Sequence, residues 1–587
     1  MTDVLRIANC SGFYGDRLSA AREMVEGGPI DVLTGDYLAE LTLMILLKDR
    51  LRDPSLGYAR TFLRQLEEIA RTCLERGIKI VVNAGGLNPA GCAAAARALY
   101  ARLGLHAVVA HIEGDDLLPK LAELQARGEK LIHMDKGIPL ATLEAPVLSA
   151  NAYLGGFGIA AALERGADLV ICPRVTDASL VVGPAAWRFG WARDDWDALA
   201  GAVVAGHIIE CGAQCTGGNY AFFHEVPRLM HPGFPIAEMH ADGSCVITKH
   251  PGTDGLVSVG TVTAQLLYEI GAPAYLNPDA TARFDTIELQ QDGPDRVRVS
   301  GVKGAPPPPT TKVCINHFGG YKNSMTFVLT GLDIEDKARL AEATLWDLVG
   351  GREQFAEVHV SLRRGDRPDP HTNEEAFAFL TVSVKDADPQ KVGRAFANRV
   401  VEMALASYPG FTMTSPPSSE SQIGVFWPAL VPSTVVDHRV VIGDQSIGIP
   451  SVAVKAARTP AAAPAQARSS LRSVDGASRA APLGAVCGAR SGDKGGNANV
   501  GVWARSAEAY AWLDAFLSVE RLRELVVEAR DLEVERYELP NLLALNFVIK
   551  GLLGDGVAAS LRSDPQAKSL GEYLRAKIVP VPVALLG

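Results

Sequence analysis

The sequence predicts an α/β protein with a mostly parallel three-layer N-terminal domain, an α+β middle domain and a small α+β C-terminal domain. Three observations predict this organisation. The chain has 587 residues, more than a single hydrophobic core accommodates. Its first third alternates short β-branched runs with helical patterns. A stretch rich in Ala, Pro and Ser then separates residues 483–587 from everything before it.

Five short apolar runs in the first third predict parallel strands, each followed by a polar loop and a helical pattern. These runs cover residues 4–8, 30–33, 78–82, 106–112 and 168–171. Parallel strands end at one edge of their sheet, and α/β proteins bind ligands in the crevice at that edge. We therefore assign residues 1–204 to a parallel α/β domain with its binding crevice at the strand ends.

The pattern changes in residues 205–455, which predict an α+β domain. Alternating runs such as 244–248 and 257–263 are separated by Gly and Pro, and two helical patterns follow near 334–349 and 390–407. Residues 456–482 lack periodicity and predict a flexible linker. Residues 483–587 predict two strands joined by a loop, two helices, a paired strand region and a last helix.

Composition excludes several classes of protein. The formal charge of −10 argues against nucleic acid as the main partner, because phosphate binding needs a basic surface. Arg6, Asp16 and Arg17 interrupt the first apolar stretch, so no signal peptide is expected. The densest apolar run, residues 41–47, is far shorter than the roughly 20 residues that span a bilayer. Nine scattered cysteines do not predict a disulfide framework. We expect a cytoplasmic protein without membrane contact.

Polar residues follow the predicted strands and are the first candidates for a site: Asp36, Asn83, Asn88, Arg174 and Asp177. At one crevice, the amides and the arginine could hold a carboxylate, a thioester carbonyl or a phosphate, while an aspartate moves a proton. Alternatively, Asp36, Asn88 and Asp177 only cap the helices that follow them. The sequence leaves both interpretations open.

A second group of candidates lies just after the first domain. His224, beside Glu225, is a candidate acid/base because histidine titrates near neutral pH, although for this residue alone the sequence favours a structural histidine. Cys211 and Cys215 could bind a metal together with His207 or His224, or they could be two buried thiols. We assign no metal ligand from the sequence.

The segment Arg490-Ser491-Gly492-Asp493-Lys494-Gly495-Gly496-Asn497 predicts an anion-binding loop. It joins two strand-like runs and looks longer than a hairpin loop of two to five residues. Glycine-rich backbone offers N–H groups to anions, and Arg490 and Lys494 add positive charge. We include Asn497 with them as a substrate-binding candidate. A structural turn in which Asp493 bonds to its own backbone is the alternative.

One glycine motif favours packing over cofactor binding. Gly156-Phe157-Gly158-Ile159-Ala160-Ala161 matches the G-x-G-x-x-A pattern of dinucleotide-binding proteins. The residues before it, 149–154, do not resemble a strand, which that motif requires. We therefore favour close helix–sheet packing at these glycines.

Several long segments resemble the acyclic terpene utilisation (AtuA) family, in its form with a fused C-terminal domain. They are Ile7-Ala8-Asn9-Cys10-Ser11-Gly12-Phe13-Tyr14-Gly15-Asp16, Thr34-Gly35-Asp36-Tyr37-Leu38-Ala39-Glu40, Asn83-Ala84-Gly85-Gly86-Leu87-Asn88-Pro89, Pro173-Arg174-Val175-Thr176-Asp177-Ala178-Ser179 and the 490–497 segment. The resemblance provides no established catalytic residues, so the candidates above rest on the residues themselves.

The resemblance implies a catabolic enzyme for a branched-chain or terpenoid acyl-CoA, or a related carboxylic acid. We expect a hydratase or a C–C lyase, because a thioester acidifies its α-carbon and one base with a donor pair then suffices. Coenzyme A is expected only as part of the substrate, and no other cofactor is indicated. The alternative is a non-catalytic accessory or scaffold partner of an acyl-CoA carboxylase. A homo-oligomer is expected on general grounds.

Overall fold

The computed structural model describes residues 4–451 and 476–586. The described strands, in chain order, are β1 (Leu5–Asn9), β2 (Val32–Gly35), β3 (Lys79–Val82), β4 (Val109–Glu113), β5 (Val147–Ala152), β6 (Leu169–Ile171), β7 (Pro235–Met239), β8 (Cys245–Lys249), β9 (Ala274–Tyr275), β10 (Thr281–Arg283), β11 (Glu288–Gln291), β12 (Val297–Ser300), β13 (Lys303–Ala305), β14 (Thr310–Thr330), β15 (Glu357–Arg364), β16 (Phe377–Asp386), β17 (Thr412–Met413), β18 (Ser421–Pro432), β19 (Arg439–Ile442), β20 (Gln445–Gly448), β21 (Ser478–Pro482), β22 (Cys487–Lys494), β23 (Asn497–Ala504), β24 (Val534–Leu539), β25 (Ala544–Ile549) and β26 (Ile578–Pro582).

The described α-helices are α1 (Ala20–Glu26), α2 (Glu40–Arg52), α3 (Arg60–Arg76), α4 (Pro89–Arg102), α5 (Leu121–Ala126), α6 (Phe157–Glu164), α7 (Ser179–Phe189), α8 (Trp196–Ile209), α9 (Val259–Leu266), α10 (Ile334–Val349), α11 (Pro389–Val392), α12 (Arg394–Glu402), α13 (Ala507–Phe516), α14 (Val519–Leu525) and α15 (Leu570–Arg575). Within the described ranges, none of these helices combines the length and the apolar character needed to cross a bilayer.

The predicted parallel sheet is confirmed, and it is the centre of an 11-stranded sheet. Strands β1, β2, β3, β6 and β4 lie side by side in that order and run parallel. Antiparallel strands extend it on both sides, β7 next to β1 and β19 next to β4. These outer strands come from residues after 204, so the sheet is not built by the first 204 residues alone.

Helices cover both faces of this sheet, which confirms the three-layer arrangement. Alternate strand residues point to opposite faces. Ile7 and Val32 pack with residues of α6, α7 and α8 in one core, whereas Ala8 and Leu33 pack with residues of α1, α3 and α4 in another. The strands are apolar on both faces because neither face meets water.

The chain forms two compact units. The first contains the described parts of Met1–Asn316, Phe426–Gly554 and Gln566–Gly587, and the second contains His317–Val425 and Asp555–Pro565. The second unit has its own core, formed by α10, α12 and strands that include β16. These bounds differ from the predicted boundaries at 204 and 455, which stay predictions.

The C-terminal part confirms the predicted small α+β fold. Its four strands form an antiparallel sheet in the order β22-β23-β25-β24, and α13, α14 and α15 contribute to the same core. Residues 478–482, which we assigned to the linker, form β21 and pair with β26. The rest of the predicted linker, apart from residues 476 and 477, lies outside the described residues.

Two local predictions are wrong. Residues 257–263, expected to be a strand, belong mostly to helix α9, because Ser258 and Thr261 form a capping box that starts the helix. Residues 147–152, where no strand was expected, form β5, which pairs with β14 outside the parallel sheet.

Candidate functional site

The loops after β2, β3 and β6 meet at one rim of the parallel sheet, as the sequence predicted. Asn83 is fully buried and links two of these loops. Its Nδ2 donates to Asp36 Oδ1 at 2.6 Å, and its Oδ1 accepts from the backbone N–H of Tyr37 at 2.7 Å. Asp36 Oδ1 also accepts from the N–H of Leu38 at 3.0 Å. The orientation of the Asp36 carboxylate is therefore fixed from two sides.

Three carboxylates converge at this rim. Asp36, Asp177 and Glu210 each offer one oxygen, and these oxygens all lie within 4.8 Å of one another. Asp36 is 4% exposed. We refer to Asp36, Asp177 and Glu210 as the carboxylate cluster. Glu210 was not among the residues predicted from the sequence.

Glu210 reaches the cluster from the end of helix α8. The end of strand β1 holds this helix end, since Asn9 Nδ2 donates to the carbonyls of Ile209 and Glu210 at 2.6 and 2.9 Å. Residues 199–209 of α8 are all buried, so the helix cannot shift without disturbing the core. An acid at a helix C-terminus faces the negative end of the helix dipole, which is unfavourable. That misplaced charge is the sequence signal that could have revealed Glu210.

Arg174 is the cation of the cluster. Its Nη1 lies 3.0 Å from Asp177 Oδ1 and 3.3 Å from the carbonyl of Leu38, and its side chain is 3% exposed. The guanidinium also stacks on Tyr153, 4.2 Å from the ring centroid. Its own backbone N–H donates to Asp115 in the loop after β4. The loop after β4 therefore also helps to position Arg174, through the carboxylate of Asp115.

Burial controls the electrostatics of the cluster. Desolvation, reinforced by the charge of Asp177, holds the pKa of Asp36 and that of Glu210 well above their ordinary values, and Arg174 acts in the opposite direction on both. Next to them, burial lowers the pKa of His207 to about 4, with Asp177 opposing that shift. The Nδ1 atom of His207 lies 3.3 Å from Glu210 Oε1.

Comparison with known proteins identifies the family. Residues 5–442 match the family model described as acyclic terpene utilisation family protein AtuA. The chain belongs to the AtuA family. Residues 481–580 match a second model, described as the AtuA ferredoxin-like domain, which agrees with the four-stranded sheet of the C-terminal part. Searches of curated proteins and of solved structures gave no match.

Asn88 of this AtuA chain does not take part in the cluster. Its Oδ1 accepts from Gly91 N–H at 2.9 Å and so caps helix α4. Its Nδ2 donates to the carbonyls of Ser55 and Leu56. The capping alternative therefore describes Asn88 best. The three contacts just given are all with backbone groups of the protein. Asp36 and Asp177 instead meet as the crevice interpretation predicted, although their roles remain predictions.

His224 lies apart from the cluster. It is exposed on a short 3-10 turn, and its ring lies tilted against that of Phe223 with the centroids 3.9 Å apart. The neighbouring Glu225 pairs with Arg505 at 2.6 Å instead of with a histidine. Among the residues described, no contact brings His224 to the carboxylates, so the geometry does not support its assignment as an acid/base.

The two cysteines do not form a metal pair with a histidine in the described structure. Cys215 is completely buried, and burial raises the pKa of its thiol. Cys211 lies beside Glu210, where burial and then the charge of Glu210 raise its thiol pKa. The group of possible metal ligands that the described residues do bring together is the carboxylate cluster.

The predicted long loop of the ferredoxin-like domain is wrong. Arg490 and Lys494 lie in strand β22, and Asn497 begins β23, so the turn consists of Gly495 and Gly496 alone. Gly495 has φ +64°, which favours glycine. Asn497 is structural: its Nδ2 donates to Asp135 at 2.7 Å, and its Oδ1 accepts from Gly551 N–H at 2.8 Å.

The same hairpin packs beside the site. Lys494 Nζ lies 3.3 Å from the carbonyl of Glu269, and the Arg490 guanidinium stacks 4.5 Å from the centroid of Tyr268. Burial lowers the pKa of Arg490, and electrostatic interaction with the neighbouring Cys211 and Glu269 opposes that shift. Arg490 is thus close to Cys211, which adjoins the carboxylate cluster. An anion-binding role for Arg490 and Lys494 stays a prediction.

The glycine motif serves packing. Both carboxylate oxygens of Asp279 accept from Gly156 N–H, at 2.9 and 2.8 Å, and so occupy the start of helix α6. A dinucleotide would place its pyrophosphate at such a position. A Cβ on Gly156 would lie 2.7 Å from the backbone nitrogen of Gly183. The motif therefore lets helices α6 and α7 approach closely.

Proposed function

We propose that this AtuA protein is a catabolic lyase, of the hydratase or C–C-cleaving type, that acts on a branched-chain or terpenoid acyl-CoA or a related carboxylic acid. The family match supports a role in acyclic terpene utilisation. The observation that carries the finer proposal is the convergence of three carboxylates with Arg174 at the end of the parallel strands. This is the edge at which α/β proteins bind their ligands.

The proposed chemistry needs a base and a positively charged group that stabilises the negative charge formed on the substrate. Asp177 is the best candidate for proton transfer, because its side chain is 32% exposed and so accessible to a substrate, whereas Arg174 beside it is 3% exposed. In the proposal, the buried Arg174 orients Asp177 and acts on the substrate through its charge, which stabilises the enolate that forms when the α-proton leaves. Asn83 keeps Asp36 in place rather than contacting the substrate.

The ferredoxin-like domain would supply the distal contact. Lys494 is exposed beside Glu269, and Arg490 is stacked on Tyr268 in the same region. In the proposal, these cations bind a phosphate of coenzyme A or a second carboxylate. We expect Lys494→Met to raise KM and to leave kcat nearly unchanged, because this contact is equally present in the ground state and the transition state.

The test is a substrate panel with matched variants. The purified full-length protein is incubated with branched acyl-CoA thioesters and the free acids, and products are followed by mass spectrometry for gain or loss of water or for chain cleavage. We expect turnover that Asp177→Asn reduces by about 100-fold or more. Asp194→Asn, an exposed aspartate on the surface, serves as the control and should retain full activity.

An unreactive panel, or turnover that Asp177→Asn leaves unchanged, would contradict the lyase proposal. Co-purification with acyl-CoA carboxylase subunits, together with carboxylase activity that survives Asp177→Asn, would instead support the accessory role. Measuring the mass of the particle in solution tests the expected homo-oligomer in the same preparation.

A further inference from the structure

The carboxylate cluster has the dimensions of a coordination shell. Hard divalent cations bind oxygen ligands at about 2.0–2.6 Å, so two ligands on opposite sides of one ion are about 4–5 Å apart. The ligand oxygens of Asp36, Asp177 and Glu210 all lie within 4.8 Å of one another. The centre of a triangle with sides of 4.8 Å is about 2.8 Å from its corners, so one cation could contact all three oxygens after small movements of the side chains.

The hydrogen bonds leave each aspartate able to bind a cation. The bonds from Asn83 and Leu38 go to Oδ1 of Asp36, and the contact from Arg174 goes to Oδ1 of Asp177. Each carboxylate has a second oxygen, Oδ2, that can coordinate. Asn83 would act as an outer partner that orients the ligand Asp36, an arrangement that metal sites commonly use.

His207 provides a second, independent observation. Its side chain is 1% exposed; the backbone of Leu266 and Gln265 interacts with the ring, but Nδ1 lies 3.3 Å from Glu210 Oε1 without the geometry of a hydrogen bond. A buried polar atom without a hydrogen bond is costly, so it calls for a partner. His207 precedes Glu210 by three residues on α8, which puts both side chains on one helix face. Two donors 3.3 Å apart fit neighbouring positions around one ion.

The charges agree with this geometry. With a cation bound, Asp36, Asp177 and Glu210 would all be ionised and would bring three negative charges, of which Arg174 offsets one. A divalent cation would balance the remainder. Without such an ion, mutual repulsion in a site of low dielectric constant would oppose the ionisation of all three.

We propose that Asp36, Asp177 and Glu210 form a binding site for a divalent cation, with the imidazole of His207 as an adjacent nitrogen donor. The oxygen-rich ligand set favours Mg²⁺ or Mn²⁺, and the imidazole favours Mn²⁺ over Mg²⁺. The proposal goes beyond the lyase function, because cation binding is measured without a substrate.

The experiment measures Mn²⁺ binding to the full-length protein after EDTA treatment and buffer exchange. Free Mn²⁺ is quantified by its EPR signal during titration, and calorimetry provides the stoichiometry. We expect one Mn²⁺ per chain, and at least tenfold weaker binding in Asp36→Asn and in Glu210→Gln. His207→Gln should weaken Mn²⁺ binding more than Mg²⁺ binding, because only Mn²⁺ gains from the nitrogen donor. Glu164→Gln, an exposed glutamate at the end of α6, is the matched control and should bind as the wild type does.

Thermal melts with and without Mn²⁺ distinguish a variant that has lost cation binding from one that folds poorly. The ion should raise the melting temperature of the wild type and of Glu164→Gln, but not that of Glu210→Gln. The proposal is overturned if millimolar Mn²⁺, Mg²⁺ and Ca²⁺ all fail to bind the wild type, or if stoichiometric binding persists unchanged in Asp36→Asn and Glu210→Gln. A protein that binds Mn²⁺ but turns over no acyl-CoA would refute the lyase proposal alone.

Discussion

The pair Arg174–Asp177 allows a quantitative test of the cluster. At the 3.0 Å that separates Nη1 from Oδ1, an effective dielectric constant of 20 gives an attraction of about 5–6 kcal/mol before desolvation. Asp177 is 32% exposed, so solvent screens part of this attraction. Asp177 also repels Asp36 and Glu210, whereas Arg174 attracts all three.

Because these effects have opposite signs, the two single substitutions should change the free energy of unfolding by different amounts. Arg174→Met leaves Asp177 without its ion-pair partner beside two further acids and should cost about 3–5 kcal/mol of stability. Asp177→Asn loses one attraction and relieves two repulsions, so it should change stability by about 1 kcal/mol or less. With Asp177→Asn already present, Arg174→Met should cost about 2 kcal/mol less than it does alone.

Native-state hydrogen exchange is the suitable assay, because a chain of several domains does not unfold in one step. Peptides from α8 and from the loop after β6 report the local free energy of opening, measured in EDTA so that no cation contributes. Additive effects of the two substitutions, within about 0.5 kcal/mol, would show that the pair is not coupled and would refute this account of the cluster.

Two further predictions concern the surroundings of the site. Burial raises the pKa of Asp115 from 3.8 to about 7, so the stability it contributes is complete below about pH 4 and is lost as the pH rises to 7. Asp115→Asn should therefore remove a decline of up to about 3 kcal/mol between pH 5 and pH 8 in the free energy of unfolding, and parallel pH profiles for both proteins would contradict this. Gly156→Ala, which places a Cβ 2.7 Å from the nitrogen of Gly183, should cost about 1–3 kcal/mol, whereas Gly448→Ala, with open space around it, should melt like the wild type.

The part of the site that the sequence predicted follows from one rule of topology. Short apolar runs alternating with helices imply parallel strands, and parallel strands end at one edge, so Asp36, Asn83 and Asp177 were expected at the same edge. The hydrogen bond between Asn83 and Asp36 and the pairing of Asp177 with Arg174 show how close these neighbours are. This inference needs no knowledge of distances, only of strand direction.

The rest of the site could not be predicted for specific physical reasons. Glu210 lies at a helix end, and its position depends on the bonds that Asn9 makes from a distant strand. The hairpin at Gly495 was taken for a long loop because glycines and charged residues occur both in loops and in tight turns. Asn88 has the same residue type as a binding amide, and only its bond to Gly91 reveals a cap.

The outer strands of the large sheet affect how the chain folds during synthesis and whether a shorter fragment of it can fold. The edge of β1 is covered by β7, and the edge of β4 is covered by β19, which follows far later in the chain. A fragment that ends at residue 204 would leave both edges open, and open edges of an apolar sheet associate with other chains. We therefore expect the nascent chain to complete this sheet only after residue 448 has left the ribosome. Until then, it depends on protection from aggregation.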